Sequence, residues 1–145
     1  QARGTTAMRD YQKIEEAIAE AERNTSSELR VHLEEKCSVE PLDRACFIFE
    51  KLEMHKTDAR NGVLIYVAFN DRKMAIVGDA GINAHLAPNT WENIKDQMTS
   101  DFSNGNYEAG ICTAILTIGE QLKHFFPYHQ EDQNELPNSV STHPF

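Results

Sequence analysis

The apolar residues of this chain fall into two spacings. At the start, Ala7, Tyr11, Ile14, Ile18 and Ala21 recur every three or four positions, with Lys13, Glu15, Glu16, Glu20 and Glu22 between them. That is the period of an amphipathic helix, over about residues 8–23. Asn24-Thr25-Ser26-Ser27 stops it. Leu29, Val31 and Leu33 then alternate with Arg30, His32 and Glu34, the period of a strand with one wet face. A polar loop follows, and Pro41 fits a first helical position. Leu42, Ala45, Cys46, Phe49 and Leu52 mark a second helix to about Met54. Val63 to Phe69 is an unbroken apolar run, which predicts a strand covered on both faces, and Met74 to Val77 is a shorter one. Asn70-Asp71 between them has hairpin-turn chemistry, because both residue types tolerate positive φ. Asn89 and Glu92, after Pro88, are spaced as a capping box opening a third helix with Trp91, Ile94 and Met98 on one side. Gly105 reads as its stop and Asn106 as the next N-cap. The fourth helix, about residues 107–124, carries Ile111, Ile115, Ile118 and Leu122 on a face widened by Gly110, Cys112, Ala114, Leu116 and Gly119. It is expected to be the most buried helix.

The order is therefore α-β-α-β-β-α-α. A strand–helix–strand unit makes a right-handed parallel crossover, and the run over Val63 to Phe69 needs helices on both sides. The expected fold is α/β, a three-layer α/β/α sandwich around a small mixed β-sheet of about four strands. At 145 residues the chain is one domain. Residues 8–128 hold the pattern, 1–7 read as an N-terminal remnant and 129–145 as a loose, polar C-terminal tail. No apolar run approaches the length of a membrane span, and Gln1 to Tyr11 has no signal-peptide core. The chain reads as cytoplasmic as it stands, and as periplasmic or envelope if a signal has been removed upstream.

Charge narrows the partners. Twenty-three acids against 14 bases give a net charge of −9, which argues against nucleic acid and anionic lipid and for divalent cations or basic partners. Cys37, Cys46 and Cys112 are odd in number and lack paired spacing, so neither a disulfide framework nor a zinc ribbon is expected. Cys46 and Cys112 lie on apolar helix faces and read as core residues, with Cys37 in a loop. The six histidines form no zinc motif, and no P-loop, nucleophile elbow or dinucleotide fingerprint is present.

The hairpin and the crossover bring distant acids together. If the first two strands are parallel and the third antiparallel, one sheet edge collects Glu28, Asp58, Arg60, Asn61, Asp79 and Asn83. The loops there, about 55–62 and 80–89, are long and polar. Calcium takes six to eight oxygens, several from backbone carbonyls, and such loops supply them. Glu28, Asp58 and Asp79 are the first candidate ligands, then Asn61 and Asn83, with Arg60 bracing a carboxylate. The plain alternative is that these acids are solvated turn residues or helix caps. A rival set, Glu35, Glu40, Asp43, Asp71 and Asp101, is expected at the opposite edge.

Several spaced segments together resemble the TPM domain family. They are Thr25-Ser26-Ser27-Glu28-Leu29-Arg30-Val31, Thr57 with Arg60-Asn61-Gly62-Val63-Leu64-Ile65, Asp71-Arg72-Lys73, Val77-Gly78-Asp79-Ala80-Gly81-Ile82, and Phe102, Gly105, Tyr107 and Gly110. The resemblance runs from about Ile14 to Pro127. It implies an α/β/α fold, divalent-metal binding as in some members, and an acid phosphatase activity as claimed for a plant branch in the thylakoid lumen that also includes a photosystem II repair factor. The chain departs from the family at Ser27, where glycine is frequent, and carries no membrane helix or glycine-rich tail. It looks like a stand-alone bacterial TPM domain.

Three functions follow as expectations. The first is a monomeric metal-responsive binding module, with Ca²⁺ or another divalent ion such as Mg²⁺ ordering the acidic-edge loops for a protein partner. The second is a metal-dependent acid phosphatase, with metal on Asp58 and Asp79 and Arg60 as phosphate clamp. The third is a metal-independent interaction domain.

Overall fold

The computed structural model describes residues 11–128, 140–142, 144 and 145. Its elements are α1 (Tyr11–Glu22), β1 (Glu28–Glu34), α2 (Pro41–Lys51), a 3₁₀ turn (Met54–Lys56), β2 (Gly62–Ala68), β3 (Lys73–Gly78), the short α3 (Ala80–Asn83), α4 (Pro88–Ser103) and α5 (Tyr107–Phe125). The strands lie in the order β1-β2-β3. β1 runs parallel to β2, from Glu28 beside Gly62 to Glu34 beside Ala68, and β3 returns antiparallel. The sheet thus has three strands among the described residues, fewer than the four expected.

Strand alternation divides the core in two. Leu29, Val31, Leu33, Val63, Ile65 and Val67 share one cluster with the apolar faces of α1, α4 and α5. Leu64, Tyr66, Ala68 and Ala75 form the other cluster with Ala45, Ile48 and Phe49 of α2. This is the three-layer arrangement that the doubly apolar β2 requires. Each fully buried Ile or Leu contributes about 2 kcal/mol, and Ile111, Ile115, Ile118 and Leu122 of α5 are all buried. That outweighs the roughly 1 kcal/mol cost of a helical glycine, so α5 carries Gly119 in its middle. A Cβ on Gly119 would stand 2.8 Å from Ala21 Cβ, so the glycine sets the α1–α5 spacing.

Local chemistry departs from expectation in four places. The β2–β3 turn has Arg72, at φ 55°, as its left-handed residue rather than Asn70 or Asp71. Asp71 instead accepts a hydrogen bond from the Cys37 amide at 2.8 Å. α4 starts at Pro88 with Ala87 as N-cap and no capping side chain, so the Asn89–Glu92 box does not form. The cysteines exchange roles: Cys37 is buried and Cys46 exposed. Finally, the face of β1 expected to be wet is largely covered: His32 is fully buried and Arg30 and Glu34 partly so. Its cover comes from the stretch read as a loose tail: Ser141 bridges β1 at His32 in parallel, and Phe145 packs near its ring. Of that stretch, 129–139 and 143 lie outside the described residues.

Candidate functional site

The parallel pairing puts the starts of β1 and β2 side by side, and the antiparallel hairpin returns the end of β3 to the same edge. Glu28 pairs with Gly62, Val63 pairs with Gly78, and the Asp79 amide donates to the Gly62 carbonyl at 3.0 Å. Glu28, Asn61 and Asp79 are therefore neighbours in the fold, as the sequence predicts, although about twenty to fifty residues separate them in the chain.

Asp79 is held at both ends. It caps α3, accepting from the Ala80 amide at 2.8 Å. Both its oxygens also receive the Arg60 guanidinium, Nε to Oδ2 at 2.8 Å and Nη2 to Oδ1 at 2.7 Å. Burial pushes the Asp79 carboxyl upward, but the bonds from Arg60 and Ala80 prevail and hold it below its ordinary range. Arg60 reaches this position by a left-handed backbone, φ 51°, a conformation costing roughly 1 kcal/mol for a residue with a Cβ. The Gly81 amide donates to the Arg60 carbonyl at 2.8 Å and fixes that bend. Gly81 has to be glycine here, since a Cβ would run into the Ala59 and Arg60 carbonyls.

The other sequence-chosen residues have distinct settings. Asn61 is buried; its amide donates to Thr57 Oγ1 at 3.2 Å and its Nδ2 faces Ser26 Oγ at 3.5 Å. Asn83 is exposed, with Nδ2 donating to the Gly78 carbonyl at 2.9 Å. Asp58 is exposed in the loop just before Arg60. Glu28 is buried against Glu22. Among the described residues, no three His, Cys, Asp or Glu side chains converge as a ready-made cation cluster.

Sequence reasoning missed Glu22. Placed on the solvated face of α1, it is instead buried at the helix end, where its Oε2 accepts from the Leu29 amide at 2.7 Å. Burial raises its pKa to about 8; the Leu29 bond opposes this, and the neighbouring Glu28 adds to it. Glu22 is thus a neutral acid at pH 7, able to share a proton with Glu28. The signal was present: Glu22 lies four residues after the buried Ile18, itself four after Ile14. Ser27 Oγ and His55 Nδ1 are also buried at this edge without a hydrogen bond among the described residues.

The opposite end of β1 holds a fully connected network. Arg44 grips Glu34 through Nε at 3.0 Å and Nη2 at 2.9 Å, and Tyr66 donates its hydroxyl to the same carboxylate. His32 stands 3.4 Å from it through Nε2. Burial alone would raise the Glu34 pKa, but Arg44 and Tyr66 pull it down to about 2. Burial likewise lowers the His32 pKa, so its imidazole is neutral. Three of the rival acids serve local structure: Glu40 caps α2, Asp71 accepts from Cys37 and Asp101 from Gln97.

The family description of the TPM domain matches residues 7–121. Among solved structures, the NMR structure of the BA42 protein from the psychrophilic bacterium Bizionia argentinensis is similar, with a TM-score of 0.85 at 37% identity over 99% of this chain and 94% of that one. No curated protein matches.

Proposed function

This chain belongs to the TPM domain family, and on that premise we propose that it is a divalent-cation-responsive binding module acting through the edge at Arg60 and Asp79. One observation carries the reading. The Asp79 side chain is 6% exposed, whereas the guanidinium that neutralises it is 52% exposed. The bidentate geometry strengthens this pair, but a solvent-facing guanidinium is screened by salt and stays open to exchange. A divalent cation, with twice the charge, competes for the same carboxylate.

The oxygens within the same loops suit calcium or magnesium rather than zinc: the Asp79 and Asp58 carboxylates, the Asn83 amide oxygen and the loop carbonyls around Thr57. Arg60 already occupies both Asp79 oxygens, so the cation has to displace it. Affinity should therefore be modest, on the order of 10⁻⁴ M, the range of exposed calcium sites. Arg60 bends the 57–60 loop through its own carbonyl bond to Gly81, so releasing its side chain changes the surface that the loop offers a protein partner. Glu28, buried with Glu22, supports the edge from behind.

The acid phosphatase reading is less well supported. Arg60 already commits its Nε–Nη2 edge to Asp79, which leaves only its Nη1 side to meet a phosphate. Ser27 and Thr57, the hydroxyls next to edge acids in sequence, are 2% and 5% exposed.

Backbone amide spectra recorded during a Ca²⁺ titration test the proposal. Shifts confined to residues 57–62 and 78–85, and abolished by Asp79→Asn, are expected. Amides that stay still at millimolar ion, or shifts that survive Asp79→Asn, would end it. Turnover of a chromogenic phosphate ester that Asp79→Asn abolishes would instead favour catalysis.

A further inference from the structure

We propose that Asn104-Gly105, the turn between α4 and α5, is a self-modification site, at which the asparagine converts through a cyclic imide to aspartate and isoaspartate, and that the conversion loosens the corner between the two helices. The chemistry needs an asparagine followed by a residue whose amide nitrogen can reach the side-chain carbonyl. The Gly105 nitrogen, once deprotonated, attacks Asn104 Cγ. A new N–Cγ bond forms, the Cγ–Nδ2 bond breaks, and ammonia leaves. Water then opens the imide ring at either carbonyl. One opening restores the main chain with aspartate at position 104. The other leaves isoaspartate, with the main chain running through the former side chain. One water enters and one ammonia departs, so the step needs no oxidant, reductant or metal.

The chain has two Asn-Gly pairs, Asn61-Gly62 and Asn104-Gly105, and the fold places them in opposite settings. Asn61 is 2% exposed. Gly62 opens β2 beside Glu28, and its carbonyl accepts from the Asp79 amide. A Cβ at Gly62 would stand 3.0 Å from the Met54 carbonyl, so little room is left for ring closure. Asn104 and Gly105 are both exposed, and a Cβ on Gly105 would meet nothing within 4 Å. Their turn is closed by three hydrogen bonds. Asn104 Nδ2 donates to the Ser100 carbonyl at 3.1 Å, the Gly105 amide to Phe102 at 3.0 Å and the Asn106 amide to Asp101 at 2.8 Å. The last two, with Gly105 at φ 80°, are the paired bonds of a glycine helix end. Attack requires the first two to open and Asn104 to rotate from its ψ of 8°. An exposed last helical turn opens at little cost, whereas freeing Gly62 means parting β2 from both its neighbours. Glycine also reaches attacking conformations closed to residues with a Cβ.

Conversion changes what the turn can hold. Nδ2, the donor to Ser100, is the group that leaves. A carboxylate takes its place at the C-terminal end of α4, where the helix dipole disfavours it and the last turn has no basic residue to offset it. Asp101, three residues earlier, adds like-charge repulsion. Isoaspartate goes further. It adds one carbon to the main chain just before Gly105, which draws the Gly105 and Asn106 amides off their carbonyls. The corner that these amides close is tightly packed. The Phe102 and Tyr107 ring centroids lie 5.0 Å apart, and a Cβ on Gly110 would stand 2.9 Å from Asp101 Cβ.

The test incubates the full, unsubstituted chain at mildly alkaline pH and follows its peptides by mass spectrometry over time. Asn104 should convert at least tenfold faster than Asn61, faster still as pH rises, and to a mixture of aspartate and isoaspartate. Equal rates at the two positions, or no conversion at Asn104, would overturn the proposal. Aspartate without isoaspartate would overturn the cyclic route. Amide spectra of the converted chain read the consequence. Shifts should cluster over residues 101–110 and leave β1 and β2 unmoved. The Gly105 and Asn106 amides should exchange with solvent at least tenfold faster than in the fresh chain, and unchanged exchange at both would refute the loosened corner.

Discussion

At its C-terminal end β1 delivers Glu34 to Arg44, Tyr66 and His32, whereas its N-terminal end begins with Glu28 set against Glu22. Both ends bury carboxyl groups, and they settle them in opposite charge states. Glu34 is pulled down to about 2 and stays ionised, while Glu22 is pushed up to about 8 and stays protonated. Desolvation acts on both in the same direction. What differs is that an arginine from α2 reaches one end, while at the other Arg60 goes to Asp79. The satisfied end is built to hold shape. The other end carries buried acids and a half-exposed arginine, the setting in which the proposed cation would compete.

The sharpest way to break this contrast is at the paired end. Glu34→Ala leaves a partly buried guanidinium and the Tyr66 hydroxyl without their shared acceptor. It should cost about 3 kcal/mol in urea unfolding at pH 7, as breaking one side of a buried pair does. The pH profile sharpens the same point. The folded pKa of Glu34 lies below its unfolded value, so its contribution is present above about pH 4.5 and lost as pH falls toward 2. Glu34→Gln should flatten that acid limb.

Glu22 has the reverse sign. Its folded pKa is raised, so its contribution is complete below about pH 4.5 and disappears as pH rises through 8. Glu22→Gln should remove this alkaline loss and make the protein more stable than wild type at high pH by about 2 kcal/mol. Denaturation series at low and high pH distinguish the two limbs. A wild-type alkaline limb that persists in Glu22→Gln would contradict the neutral-acid assignment.

A smaller effect is expected at Asp79. Asp79→Ala removes the α3 cap and should lower stability by about 1 kcal/mol. Arg60→Gln removes an exposed partner but leaves the nearly buried Asp79 carboxylate with only the Ala80 amide, so it should lower the melting temperature by a few degrees at most. A large loss with Arg60→Gln would mean that the arginine is a fixed structural group.

The sequence made some of this legible and hid the rest for physical reasons. The apolar run of Val63 to Phe69 announced β2 and its two covered faces. The alternation of Leu29, Val31 and Leu33 announced β1, and the parallel-then-antiparallel order brought Glu28, Asn61 and Asp79 to one edge. Arg60 was read as a brace for a carboxylate, and it braces Asp79. Glu22 escaped because acids on an amphipathic helix are usually solvated, although its spacing from Ile14 and Ile18 pointed inward. His32 had no such signal. Its strand position looked wet until Ser141 and Phe145, more than a hundred residues on, supplied the cover. Cys46 looked like core because α2 presents an apolar stripe wider than the face the sheet covers, and Phe47 and Leu42 remain exposed with it.

The central claim is that Arg60 and a divalent cation compete for the Asp79 carboxylate. Calorimetric Ca²⁺ titration of the wild-type chain and of Arg60→Gln, at equal low ionic strength, tests it directly. Removing the guanidinium removes the competitor, so Arg60→Gln should bind Ca²⁺ at least threefold more tightly than wild type. Equal or weaker binding by Arg60→Gln, or no heat from either chain, would contradict the account.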